Sequence, residues 1–202
     1  MHTLYASPFS CSFAVHLVLR QQGIPHELKW VDRGEGRLIR QADLGRINPF
    51  RKVPTLTLPD GEVTTEVSSI LLSFDPRPRS PTQIRQHQAW LSVVATELHK
   101  PLLAPAFDAQ CPEGVWQDAL ERLIPHTLGV IDAHLEDRET LLADPEPSPA
   151  DAYLFWALTL LRYRWPERLS ANLARFHAAY GARPWTGPTL AIEQAARIAR
   201  SG

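Results

Sequence analysis

The sequence predicts an α/β domain followed by an all-helical one. Three observations carry that prediction. Residues 1–75 alternate strand and helix patterns, residues 76–81 form a proline-rich linker, and residues 82–202 carry helical patterns only. In the linker, Pro76, Pro78 and Pro81 remove backbone donors and fix φ, so neither a strand nor a helix interior is expected to run through it.

Within the first domain, residues 3–6 read as a short strand. Residues 13–20 are apolar at helical spacing, and Gly23 followed by Pro25 is a stop signal. Residues 27–31 alternate polar and apolar, with Leu28 and Trp30 on one side, as a half-buried strand does. A short helix over 43–47 precedes Asn48-Pro49. Residues 55–58 and 62–65 flank Asp60-Gly61 and form a predicted hairpin, with Asp-Gly supplying the positive φ angles of a tight turn. Residues 68–74 read as a helix. The order βαβ, then ββ, then α predicts a parallel crossover followed by an antiparallel edge.

The second domain opens with a long helix over 82–100, ended by Pro101. A second helix is expected over 115–138, with a kink at Pro125. Ser148-Pro149-Ala150-Asp151 reads as a helix start: Ser148 caps, Pro149 occupies the first helical position, and Asp151 reaches back to the cap amide. The following residues, 152–161, are apolar nearly all round and predict the buried centre of the domain. Pro184 and Pro188 interrupt the tail, and 190–200 is the last predicted helix.

Composition excludes several classes. A chain of 202 residues with formal net charge −1 and scattered Lys and Arg lacks a nucleic-acid footprint. Its longest apolar run, near 153–161, is too short to span a bilayer. No signal-peptide pattern opens the sequence, and two cysteines, Cys11 and Cys111, make no disulfide framework; a cytoplasmic location is expected. The eight histidines show no metal-ligand spacing with each other or with either cysteine, so no metal site is expected.

Three candidate groups carry chemistry. In the first, Asn48-Pro49-Phe50-Arg51-Lys52-Val53-Pro54 leads into the hairpin, which ends at Thr65-Glu66. A proline belongs at a strand start, and a cis Val53–Pro54 bond would turn the Val53 amide and carbonyl outward to pair with an extended peptide. Glu66 could hold an ammonium group, while the amides of Val67 and Ser68, at a helix start, favour a carboxylate. The plainer alternative is a strand-entry proline and a helix-capping glutamate. The second candidate is Cys11, after Ser7-Pro8-Phe9-Ser10 and just before the first helix, where a thiolate is favoured. Three positions on stands Ala14, so no resolving cysteine exists for a dithiol cycle, and Ser10 or Ser12 could supply a hydroxyl instead. A small cysteine packing a loop is about as common. The third is His99, near the end of the long helix, where a cation also has a plain electrostatic explanation.

Taken in order, these segments resemble the cytosolic glutathione S-transferases, and among them the bacterial beta class. The resemblance runs nearly end to end. It rests on the Cys11-Ser12 helix opening, on Asn48-Pro49, Val53-Pro54, Asp60-Gly61 and Thr65-Glu66 at family spacing, on the helix around His99, and on Ser148-Pro149-Ala150-Asp151. It implies a thioredoxin-like domain followed by an all-helical domain, commonly as a homodimer. It implies glutathione as substrate, held along Lys52, Val53 and Pro54 and by Glu66, Val67 and Ser68, with Cys11 at the glutathione sulfur and His99 beside it. It also implies a small hydrophobic electrophile, with Phe9, Phe107 and Trp165 as candidate lining, and a detoxifying role.

The sequence departs from the beta class in several places. The loop before Cys11 is one residue longer, and Ser-Pro-Phe with Ser-Cys resembles serine-dependent and zeta-like relatives, which makes Ser10 a rival catalytic residue. Val67 replaces the usual serine after the acid, Gly36 with Arg37 beside it replaces a lysine, and Ser92 replaces an asparagine. Three functions follow as expectations: glutathione conjugation; glutathione-dependent thiol transfer, peroxidation or isomerisation through Cys11; and glutathione-fold binding without catalysis.

Overall fold

The computed structural model describes residues 1–31, 41–75, 80–107, 119–142 and 144–199. By its contacts the chain forms two units, one of residues 1–75 and 183–202, the other of residues 76–182.

The first unit is built on a four-stranded sheet of order β2-β1-β3-β4, from β1 (His2–Ala6), β2 (His26–Trp30), β3 (Thr55–Thr57) and β4 (Val63–Thr65). β1 pairs with β2 in parallel, Leu4 opposite Leu28, and with β3 antiparallel, Leu4 opposite Leu56. The parallel pair needs a crossover, and α1 (Ser12–Gln21) supplies it. Phe13, Leu17 and Leu19 of α1 are fully buried with Leu4 and Leu56, and each such side chain contributes about 1.5–3 kcal/mol on burial. α1 stops at Gly23, whose φ of 62° lets its amide reach Arg20 O and the Ile24 amide reach Leu19 O. This is a Schellman end, and a side chain at Gly23 would be strained there. α2 (Gln41–Ile47) and α3 (Val67–Ser73) follow the expected positions within two residues.

The hairpin turn differs from the predicted one. Gly61 donates to Leu58 O, Leu58 donates to Glu62 O, and only Gly61 takes a positive φ, of 92°. Pro59 is the cause: its ring fixes a negative φ and draws Leu58–Gly61 into a four-residue turn with the glycine last.

In the second unit the predicted linker gives up its last residue. α4 (Pro81–Val93) begins at Pro81, with Ser80 as cap and Gln83 closing a capping box. Proline is welcome there because the amide of the first helical residue has no intrahelical partner. The long helix does not end at Pro101. α4 passes into a π-helical stretch, Val94–His99, and then into α5 (Lys100–Phe107). The wider π turn gives room for a proline ring that would otherwise meet the carbonyl four residues back. A second π stretch, Ala119–Leu123, precedes α6 (Ile124–His134) and takes up Pro125 in the same way, so the expected kink is a widened turn. The predicted start of that helix, at 115, lies outside the described residues, as do Cys111, Gly36 and Arg37.

α7 (Pro149–Arg164) is the buried centre. Asp151 is fully buried and accepts from the Ser148 amide and hydroxyl at 2.6 Å each and from the Leu141 amide at 2.8 Å. Tyr153, Leu154, Phe155 and Trp156 behind it are at most 1% exposed. α8 (Ala171–Gly181) packs on α7.

The last helix, α9 (Thr186–Ile198), starts earlier than predicted, because Pro188 falls in its first turn where its missing donor costs nothing. Pattern alone assigned this helix to the helical domain; its packing against α1 places it in the first unit.

Candidate functional site

The loop around Val53 is built by Asn48. That side chain is 1% exposed and donates to Lys52 O at 3.0 Å and to Thr55 Oγ1 at 2.9 Å, while accepting from the Phe50 amide at 3.0 Å. Thr55 donates in turn to Lys52 O at 2.8 Å. These bonds fix a loop in which Arg51 takes a φ of 52° and the Val53–Pro54 bond is cis. Lys52 is exposed, Val53 half-buried and Pro54 buried.

Cys11 meets this loop. It caps α1, is 5% exposed, and donates from Sγ to the Val53 carbonyl at 3.4 Å. Ser10, its neighbour, faces inward. Ser12 Oγ donates to Ser7 O at 3.2 Å, so the 2.8 Å contact between the two hydroxyls has Ser10 donating to Ser12. The Ser10 hydrogen is thus engaged inside the loop, and Ser10 is 6% exposed.

The register Thr55 opposite Thr65 sets Pro54 and Glu66 at the same end of the hairpin. Glu66 has a φ of 67°, and its side chain makes no cap bond to α3 although it stands in the cap position. Its carboxylate is exposed, Val67 is buried and Ser68 half-buried.

In the first unit, sequence reasoning missed Glu193. This carboxylate, on α9, is fully buried. It accepts from the Phe9 amide at 2.8 Å and faces His16 Nδ1 at 2.7 Å. Phe9 has a φ of 54°, its ring meets Phe13 edge-on at 5.7 Å, and the Arg197 guanidinium lies 5.8 Å from it. A bulky residue at positive φ persists only when its surroundings hold it, and here α9 holds the loop that leads into Cys11. The available signal was weak: Thr186, Thr189 and Glu193 share one buried helical face, and an acid there calls for a buried partner.

In the second unit, His99 is half-exposed at the end of the π-helical stretch. Its Nδ1 is hydrogen-bonded to the Tyr153 hydroxyl, and its ring meets Trp156 edge-on at 4.8 Å. Trp165 is half-buried after α7, and the Phe107 side chain lies outside the described residues. Farther from these groups, His177 donates from Nε2 to Thr159 Oγ1 at 3.0 Å and stacks on Phe155 at 4.7 Å. Burial, with Arg162 adding to it, lowers its pKa to about 4. Among the described residues no three His, Cys, Asp or Glu side chains are grouped to hold a metal, and no helix is long and apolar enough to cross a membrane.

Comparison with known proteins places the chain among its relatives. The family profile "Glutathione S-transferase, N-terminal domain" matches residues 6–75. The chain is 30% identical to glutathione S-transferase GstA of Escherichia coli O157:H7, over 94% of this chain and 98% of that one. A glutathione transferase structure from Methylococcus capsulatus str. Bath superposes with a TM-score of 0.83 at 30% identity, over 96% of this chain and 100% of the other. A bacterial beta class glutathione S-transferase from Sphingomonas chungbukensis gives 0.79 at 30% identity, over 95% and 98%. A sphingomonad glutathione S-transferase complexed with glutathione gives 0.79 at 28% identity, over 95% and 98%. With 30% identity to a glutathione S-transferase over nearly the whole of both chains, and the family profile matched in its first unit, this protein belongs to the glutathione S-transferase family.

Proposed function

We propose that the chain is a glutathione transferase that joins the glutathione thiolate to a small hydrophobic electrophile, with Cys11 rather than Ser10 at the sulfur. The observation that carries this reading is the 3.4 Å hydrogen bond from the Cys11 thiol to the Val53 carbonyl. A glutathione backbone amide seeks that same carbonyl as an added strand does. Its arrival displaces the thiol, which then donates to the incoming sulfur and favours its ionised form. Lys52, Val53 and Pro54 line the peptide, the exposed Glu66 carboxylate takes the ligand ammonium, and the amides of Val67 and Ser68 take its carboxylate. Ser68 stands in for the hydroxyl that Val67 lacks. His99 serves as hydrogen-bond or proton-transfer group at the sulfur. A cytoplasmic homodimer with a detoxifying role completes the reading, by family resemblance.

A second reading has an observation of its own. Cys11 caps α1 without a side-chain cap bond, and a thiolate in that place is stabilised by the helix dipole. It could attack a glutathione disulfide, forming a Cys11–glutathione disulfide and releasing one glutathione thiolate. Cys11→Ala separates the two. Conjugation is expected to fall about tenfold if the thiol supports the sulfur; unchanged conjugation with lost disulfide reduction would assign Cys11 to the second chemistry. Failure of glutathione to raise the melting temperature would overturn both.

A further inference from the structure

His99 is held by a residue that neither the sequence motifs nor the proposed ligand contacts include. Tyr153 is 1% exposed and lies on α7 just beyond the buried capping box. Its ring stacks on Trp156 at 5.6 Å with 27° between planes, and both rings meet His99 edge-on, at 5.8 Å and 4.8 Å. The phenol is therefore fixed in direction before it bonds the imidazole. Its partner arrives from the π-helical stretch Val94–His99, whose extra residue per turn shifts the face on which His99 stands.

The polarity of the bond follows from acidity. A phenol O–H, with pKa about 10, is a far stronger acid than the N–H of a neutral imidazole, and the imidazole nitrogen is a far stronger base than a phenol oxygen. O–H donating to N is the favoured arrangement. The two ring nitrogens of histidine are distinct, and the partner of one sets the proton on the other.

We propose that Tyr153 is a positioning residue that donates its hydroxyl hydrogen to Nδ1 of His99 and holds the neutral ring as the Nε2–H tautomer, the form that presents a donor to a bound thiolate. The tautomer assignment stands on the hydrogen bond alone; its consequence for catalysis rests on the reading that His99 acts at the glutathione sulfur. In the opposite tautomer Nε2 is bare and repels an anionic sulfur, so losing the phenol lowers the fraction of productive enzyme without touching the groups proposed to hold glutathione.

The test is nitrogen-15 NMR of histidine-labelled protein at a pH where His99 is neutral, with the His99 signals identified by their absence from His99→Gln. The wild type is expected to show the Nε2–H pattern. Tyr153→Phe, which keeps ring and volume, is expected to give a mixture of tautomers. Its kcat for conjugation should fall about tenfold, with glutathione KM changed less than about twofold. An Nδ1–H pattern in the wild type, or an unchanged pattern in Tyr153→Phe, would overturn the assignment. The wild-type spectrum needs no substitution, so the proposal stays refutable even if the variant fails to fold. Unchanged kcat in His99→Gln would instead overturn the role of His99 at the sulfur, whatever the spectrum shows.

Discussion

In the first unit, Cys11, Val53 and Glu66 stand on irregular backbone, and Phe9, Arg51 and Glu66 take φ angles of 54°, 52° and 67°. In the second, His99 stands within a continuous helical run, and no described non-glycine residue there has a positive φ. Each positive φ costs on the order of 1–3 kcal/mol, so the loops of the first unit need support from outside themselves. Asn48 supplies it around Val53, and Glu193 supplies it at Phe9. The helical unit needs no such props. Its candidate side chain, His99, is set by packing against Tyr153 and Trp156, and by the capping box that starts α7. Backbone groups that must face a peptide ligand demand irregular loops, whereas a single imidazole can be aimed from a helix.

That contrast can be broken by substitution. Asp151→Ala leaves the Leu141 amide and the Ser148 amide and hydroxyl without their buried carboxylate acceptor. The expected loss is about 4 kcal/mol by denaturant titration, the largest of the set, and it should act through folding. Equal stability in Asp151→Ala would mean that α7 does not depend on its cap. Glu193→Ala strands the Phe9 amide and the His16 ring, for an expected loss of about 3 kcal/mol. Unlike Asp151→Ala, it should raise glutathione KM at temperatures where the variant remains folded, because it frees the loop before Cys11. A Glu193 variant that loses stability with KM unchanged would show that the loop holds its own shape. Asn48→Ala removes the scaffold of the Lys52–Pro54 turn, with an expected cost of about 2 kcal/mol and again a higher glutathione KM.

A pH dependence in the helical unit comes last, because it vanishes near neutral pH and grows only as the solution is acidified. His177 has a folded pKa of about 4 against an ordinary 6.5. Between those values the unfolded chain binds more protons than the folded one, so stability falls as pH drops from 6.5 toward 4. A His177→Phe variant should show a flatter melting temperature across that window. Parallel profiles would assign the acid sensitivity elsewhere.

Much of the local structure around the candidate site was legible because its signals are local. Val53-Pro54 before a strand, Asp60-Gly61 in a turn and Ser148 three residues before Asp151 each act within a few positions, so reading neighbours suffices. The prolines were harder. Pro81, Pro101 and Pro188 each look like a break, yet Pro81 and Pro188 sit in the first turn of a helix and Pro101 follows a π-helical turn within a continuous run, and whether the flanking chain keeps helical geometry depends on what it packs against. The orientations of Ser10 and Cys11 could not be separated by sequence because both precede the same helix. Only the side-chain directions, Ser10 toward Ser12 and Cys11 toward Val53, distinguish them.

The sequence by itself determined the two kinds of domain, the two strands of the hairpin and the cap of α7. All of these follow from periodicity and turn chemistry over short spans. Tertiary structure alone decided that Glu193 reaches back 184 positions to Phe9, that the last helix packs on the first, and that Tyr153 bonds His99 across 54 positions. The reason is physical: a buried polar group takes whatever partner the folded chain brings within about 3 Å, and separation along the sequence leaves no trace of which partner that is.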